Sequence, residues 1–290
     1  MLSTALSVLK TYRNSFSPLR LPNFRLYLGG QAISLIGTWL QAAAQQWVVL
    51  QLTNSEAALG IAVALSTLPI LLLGLWAGVW AERWDRRKLL IGTQTAAMSL
   101  AFIFAALMIT GVIQVWHVYV LSFALGIVSA LDFPAQQAFL GDLSGMSEVR
   151  KAVNLNAMII QISRMLGPAF AGLIIARLGV STAFWLNGLS FLAVIVTLLL
   201  VRSQQVTSPP SGKSMVHEFS EGLKFIKSQP RIQDLLLFVV LVTFLGFSVL
   251  TIASAFVVKI LHGNSETYGL LLSASGAGAL IGVLFVVPIA

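Results

Sequence analysis

The chain has 290 residues, 57% of them hydrophobic and only 10% charged, with a mean hydropathy of +0.89. Soluble domains carry about 25% charged residues, so a fully water-facing surface is excluded. The net charge of +8 does not mark a nucleic-acid partner, because the basic residues are dispersed between long apolar runs; zero cysteines exclude a disulfide framework and a thiolate metal site.

An apolar run of 18 or more residues reads as a membrane span, since ~20 helical residues cross the ~30 Å hydrocarbon layer. The runs are apolar all round rather than alternating, which favours helices over a barrel. Before the first run, Leu2, Leu6, Leu9, Tyr12 and Phe16 recur at helical spacing around Lys10 and Arg13. This predicts a short surface helix within residues 1–25, with a solvated tail as the alternative, and no cleaved signal.

Eight spans follow, at roughly 26–52, 57–80, 89–111, 115–137, 153–176, 181–201, 234–258 and 266–288. Span 1 carries Gln31, Ser34, Thr38, Gln41 and Gln45 at steps of three and four, one polar face along most of its length. Amides facing lipid are costly, so this face is expected to line a substrate cavity or to bond another helix. Between spans 2 and 3, GVWAERWDRRKL (78–89) packs six charges into seven positions. Span 4 holds Asp132, about 8 residues from its cytoplasmic end, and span 5 holds Arg164 about 12 residues in. A central Arg costs ~2.5–3.5 kcal/mol on insertion scales, so it should face protein or a water-filled cavity. Consecutive antiparallel helices place Asp132 at a depth to partner Arg164, as an ion pair or as a coupling site. Trp47, Trp76, Trp80, Trp84 and Trp116 read as an interfacial belt, with Trp39 and Trp185 as cavity-stacking candidates.

The linker at 202–232 has a flexible Ser208–Gly212 joint, then an amphipathic stretch with Met215, Phe219, Leu223 and Ile226 on one face. The organisation expected is an N-terminal segment 1–25, a six-helix bundle 26–201, this linker, and the start of a second bundle at 233–290. The strings VVLQLTNSE (48–56) and VVKILHGNSE (257–266) suggest a parallel repeat that begins again at span 7.

Lys and Arg set the orientation. The N-terminal segment, the 2–3 and 4–5 loops and the linker hold fifteen, against Arg177 and Lys259 on the other side. The N-terminus is therefore expected in the cytoplasm of a multi-pass inner-membrane protein. His117, His217 and His262 are scattered, so no metal site is predicted; no nucleophile, phosphate-binding loop or paired carboxylates point to an enzyme, and no cofactor is expected.

Six spans, a basic linker and the charged 2–3 loop make the chain resemble the major facilitator superfamily. Within it, the chain is most similar to the drug- and siderophore-exporter branch that includes enterobactin-exporter-like proteins. NFRLYLGGQAISLIGTWLQ (23–41), FPAQQAFLGDL (133–143), GPAFAG (167–172), EGLKFI (221–226) and YGLLLSASGAGALIGVL (268–284) carry the likeness. The 2–3 loop signature is matched by Gly78, Arg83, Arg86 and Arg87, with Glu82 for the usual Asp and Asp85 for the usual Gly. The resemblance implies that this loop is a conformational latch onto the second half. The helix 5 packing motif is matched by Gly167, Pro168 and Gly172, with Ser163 and Ala171 replacing two glycines, and Gln136 stands where the branch carries Arg.

The resemblance implies an all-α polytopic membrane protein: a complete six-helix N-terminal half plus the first two helices of the C-terminal half. The expected function is secondary export of a small organic molecule by alternating access, with a proton as counter-ion. A non-transporting membrane sensor or assembly protein on the same scaffold is the alternative. Gln31, Ser34, Thr38, Gln41, Gln45 and Arg164 are the cavity candidates, and Asp132 with Arg164 the coupling candidates. Twelve helices would complete such a carrier, so the expectation is a partial chain whose latch lacks its partners.

Overall fold

A computed structural model describes residues 15–201 and 224–286. The surface helix expected in 1–25 lies almost wholly outside these residues, as does most of the linker amphipathic stretch, of which 224–228 is helical. No strand occurs among the described residues. A 3₁₀ turn, Ser17–Arg20, leads into α1 (Pro22–Thr53), α2 (Glu56–Arg83), α3 (Arg86–Ile109), α4 (Val115–Ser144), α5 (Val149–Leu178) and α6 (Val180–Leu200). After the linker come α7 (Pro230–Thr251), α8 (Ala253–Lys259) and α9 (Ser265–Val286). The expected single span 234–258 is thus two helices, broken at Ile252, whose backbone leaves the helical region at φ −91°, ψ 3°.

The breaks between helices follow from local chemistry. Asn54 takes the left-handed conformation (φ 48°) that ends α1, and the Ser55 hydroxyl then accepts the Ala58 N–H to start α2. The second string of the suspected repeat does the same: His262 is left-handed (φ 51°), and the Asn264 side chain accepts the Thr267 N–H at 3.1 Å to open α9. The two strings therefore encode one local structure, a left-handed stop followed by a side-chain cap.

Among the described residues, five helices combine the length and apolarity needed to cross a bilayer, α2 (over Glu56–Gly74) to α6, with mean hydropathies from 1.6 to 2.2. The 30-residue helices α4 and α5 are about 45 Å long at ~1.5 Å per residue, longer than the ~30 Å hydrocarbon layer. Asp132 is 12 residues from the end of α4 at Ser144, rather than the about 8 expected, and lies near mid-helix.

Small residues bring the helices together. α1 packs on α6 and α5, α2 on α4, α3 on α4 and α6, and α9 on α5. A Cβ at Gly167 would lie 2.5 Å from the Trp39 Cβ of α1, and one at Gly172 would lie 2.7 Å from the Ser265 carbonyl of α9. The helix 5 motif therefore serves two seams at once, joining the first six helices to the later block. Gly78 of the 2–3 loop signature has no atom within 4 Å of where a Cβ would stand, so no close helix approach depends on it among the described residues.

The 3₁₀ turn is tied to the start of α5. The Ser17 hydroxyl donates to Glu148, and the Lys151 ammonium donates to Glu148 Oε1 and to Ser17 Oγ, both at 3.0 Å. The Ser17 hydroxyl first, and Lys151 next, hold the Glu148 carboxyl below the usual carboxylate range. A depressed acid contributes its stabilisation above the ordinary carboxylate pKa and loses it as pH falls through the folded value. Acidification through that window is expected to free the 15–20 segment selectively. Hydrogen exchange across the pH range checks this, and protection of that segment that does not change with pH would refute it.

Candidate functional site

The polar face of α1 runs into a cavity of about 210 Å³ walled by α1, α2, α4 and α6. Thr38, Gln41, Gln45 and Gln46 come from α1, Val63 and Ser66 from α2, Ser122 and Ser129 from α4, and Asn187 and Phe191 from α6. Its polar groups are fixed by one another. Asn187 Nδ2 donates to Gln41 Oε1 at 2.7 Å, and Gln45 Nε2 donates to Ser122 Oγ at 2.8 Å, whose hydroxyl donates to the Val118 carbonyl at 2.7 Å. Gln41, Ser122 and Asn187 are buried, so these bonds are made away from bulk water, where an unmade one costs about 1–3 kcal/mol. Among the described residues, no charged one lines the cavity.

The predicted residues divide by depth along α1. Thr38, Gln41 and Gln45 stand on the cavity wall, whereas Gln31 and Ser34 are buried below it against protein. Asn187, Ser122 and Gln46 were not singled out from sequence. Gln46 lies off the α1 stripe; Ser122 shares a sparse polar face of α4 with Ser129 and Gln136, and Asn187 one of α6 with Ser190 and Thr197, periodicities that could have marked them.

Arg164 does not reach this cavity, nor does it meet Asp132. Its guanidinium lies 5.4 Å from the centroid of the Trp39 ring, a cation–π contact between α5 and α1. A Cβ on Gly276 would lie 2.9 Å from the Arg164 carbonyl carbon, so α9 passes directly behind it. Arg164 thus sits where the first six helices meet the later block. Beside it on α5, the buried Gln161 Oε1 and Ser163 Oγ have no hydrogen-bond partner among the described residues.

Asp132 faces α3 instead. Its Oδ1 accepts from Thr93 Oγ1 at 2.5 Å and from Gln94 Nε2 at 2.9 Å, and its Oδ2 accepts from Gln136 Nε2 at 2.5 Å. Three neutral donors therefore surround the carboxylate, one of them the Gln136 that replaces the branch's Arg. Asp132 makes no salt bridge among the described residues, so the expected pair with Arg164 is corrected.

The charged 2–3 loop has partners within this chain, contrary to the expectation that it closes on nothing. Asp85 caps α3 by accepting the Lys88 N–H at 3.0 Å. Arg86 Nη1 meets Asp142 Oδ1 at 2.5 Å, with the two side chains only 11% and 3% exposed. Asp142 lies in the last turn of α4. Arg87 donates from Nε to the Leu198 carbonyl at 2.5 Å and from Nη2 to the Leu199 carbonyl at 2.6 Å, satisfying the open carbonyl end of α6. The loop clasps α4 and α6 together; the Glu82 side chain lies outside what is described.

At the opposite end, α8 and α9 close against the α1–α2 turn. Lys259 Nζ pairs with Glu56 Oε1 at 2.7 Å and donates to the Asn54 carbonyl at 3.2 Å. Tyr268 stacks on Trp47, centroids 5.7 Å apart, and its hydroxyl donates to Gln46 Oε1 of the cavity wall at 3.0 Å. Trp47 is therefore a buried packing residue and not part of an interfacial belt. Trp39 carries Arg164 and Trp185 packs on Phe102 at 4.9 Å; neither lines the cavity.

Comparison with known proteins places this geometry. Residues 13–289 match the major facilitator family model described as a transmembrane secretion effector. The staphyloferrin A transporter of Staphylococcus aureus is 27% identical over 90% of this chain and 66% of its own length. The enterobactin exporter of Citrobacter koseri is 25% identical over 96% of this chain and 64% of its own length. Macrolide efflux protein A of Streptococcus pyogenes is 24% identical over 72% and 52%. The chain thus spans about two thirds or less of the length of the curated relatives it matches. Among solved structures, an inward-facing, unoccupied bacterial homologue of the human lysosomal transporter Spinster superposes with a TM-score of 0.73. It is 14% identical and is matched over 91% of this chain and 62% of that one, a likeness of fold.

Proposed function

The chain belongs to the transmembrane secretion effector family of the major facilitator superfamily, and from that membership we propose that it forms the substrate-binding half of a secondary exporter for drug- or siderophore-like molecules. The observation that carries the reading is the cavity against α1, lined by neutral amides and hydroxyls on apolar walls. Such groups hydrogen-bond many organic molecules without demanding a particular charge. At about 210 Å³ the cavity is smaller than the ~300–1,000 Å³ of drug-sized sites, so it would hold part of such a molecule. The names of the relatives, a siderophore transporter, a siderophore exporter and a macrolide efflux protein, support the class.

In this reading the units are the N-terminal segment 1–25, the bundle 26–201, the linker 202–232 and the opening of a second bundle at 233–290, in a bacterial inner membrane with the N-terminus cytoplasmic. Alternating access would break and remake the ties between Lys259 and Glu56 and between Tyr268 and Gln46. Arg164, at the junction of the two blocks, would receive an anionic group of the substrate, and Asp132 would carry the coupling proton. The latch role of Gly78, Glu82, Arg83, Asp85, Arg86 and Arg87 becomes, in part, that of an internal clasp.

Flux into inverted membrane vesicles tests the proposal, using a catechol siderophore and a macrolide as probes with and without an imposed pH gradient. Arg164→Ala is expected to abolish flux while the protein remains inserted and abundant. Movement of neither probe under either condition would favour the non-transporting alternative, and loss of the protein from the membrane would make Arg164 a structural residue.

A further inference from the structure

A second hollow lies on the other flank of α1, where α6 crosses it, and it takes no part in the cavity described above. It encloses about 530 Å³ and is lined chiefly by Arg25, Leu26, Gly29, Gly30 and Ile33 of α1 with Thr197 of α6. Its floor exists because Gly30 has no side chain: a Cβ there would lie 2.6 Å from the Thr197 hydroxyl. Its middle is open because Gly29 has none either, with no atom within 4 Å of where a Cβ would stand. Leu26 and Ile33, 39% and 54% exposed, form its apolar rims.

The mouth of the groove is charged. Arg25 is exposed, and among the described residues no acid pairs with its guanidinium. It stands at the basic end of the bundle, where Arg20 precedes it and the 2–3 loop contributes four more bases. From Arg25 to Ile33 the helix rises about 12 Å at ~1.5 Å per residue, close to the ~15 Å depth of one leaflet's hydrocarbon. An apolar trough of that length, ending in a guanidinium that no acid pairs among the described residues, matches one acyl chain and an anionic headgroup.

We infer that the α1/α6 groove is a binding site for an anionic phospholipid, with one acyl chain lying along Leu26, Gly29 and Ile33 and the phosphate on Arg25. The guanidinium fork matches a phosphate bidentately. One basic residue at the membrane surface favours an anionic over a zwitterionic lipid by about fivefold. The site needs only that the chain is embedded in a bilayer, and stands whether or not the chain transports.

Native mass spectrometry of the detergent-purified chain, titrated with phosphatidylglycerol or phosphatidylcholine, reads the site directly. The wild type is expected to hold phosphatidylglycerol about fivefold tighter, and Arg25→Gln to bring the two lipids to near parity. Gly29→Leu fills the trough while leaving the charge, and is expected to weaken both lipids alike; both positions are exposed and Gly29 meets nothing, so the fold survives. An unchanged preference in Arg25→Gln, or unchanged binding in Gly29→Leu, overturns the inference. Displacement of the lipid by excess inorganic phosphate would assign the position to a free anion and overturn it equally.

Discussion

Arg86→Met is expected to destabilise the bundle by about 3–5 kcal/mol, seen as an early unfolding transition in detergent, because it removes one partner of a buried ion pair. Asp142 is 3% exposed and Arg86 11%, so solvent cannot take over the lost partner's role. The cost comes from weakening the compensation of a buried charge rather than from the pair's own net worth, which burial largely cancels. The double variant Arg86→Met/Asp142→Leu is therefore expected to recover most of what the single change loses. Lys88 with Asp85, 3.9 Å apart and largely solvated, is expected to contribute almost nothing to stability, and Lys88→Ala serves as the control. If Arg86→Met unfolds no earlier than Lys88→Ala, the clasp has no structural weight. A charge that only kept the loop in the cytoplasm would not need this geometry, so the measurement separates topology from tethering.

The same loop shows where sequence was informative and where it stopped. Its run of charges marked a loop between two spans in the sequence, and the helix 5 glycines marked a close seam. What those residues touch depended on azimuth, which apolar runs do not encode. In a span that is apolar all round, position along the chain sets depth, but the ~100° turn per residue leaves the facing neighbour open. Asp132 and Arg164 occur at comparable depths on consecutive helices, yet one turns to α3 and the other to α1. The α1 stripe was legible because five polar residues in an apolar helix define a direction by themselves. Asn187 and Ser122, which complete the cavity opposite that stripe, stand on sparser polar faces, and packing brings them to Gln41 and Gln45. Span 7 was read as continuous because Ile252 is as apolar as its neighbours, so the break leaves no trace in hydropathy.

Asp132→Asn is expected to reduce pH-gradient-driven flux ~100-fold or more, the scale on which positioned proton-transfer groups act, while counterflow exchange of substrate continues. The carboxylate is balanced by hydrogen bonds from Thr93, Gln94 and Gln136, and among the described residues by no salt bridge. A site held by neutral donors can lose its charge without stranding a cation, which is what a group that alternates between two protonation states requires. Had Arg164 been the partner, each protonation would have cost a buried ion pair, and such a site would stay locked. Asparagine reproduces the neutral state in charge and size but has no proton to release, so it should arrest coupling and spare binding. Gln136→Arg supplies the complementary test: a permanent cation i+4 from Asp132 is expected to hold the acid ionised and cost gradient-driven flux as well, with exchange retained. The paired measurement of gradient-driven flux and counterflow on the same vesicles decides the matter. Full gradient-driven flux in Asp132→Asn would remove Asp132 from the coupling pathway, and loss of both activities together with the protein's abundance would make the polar cage a packing feature of α3 and α4.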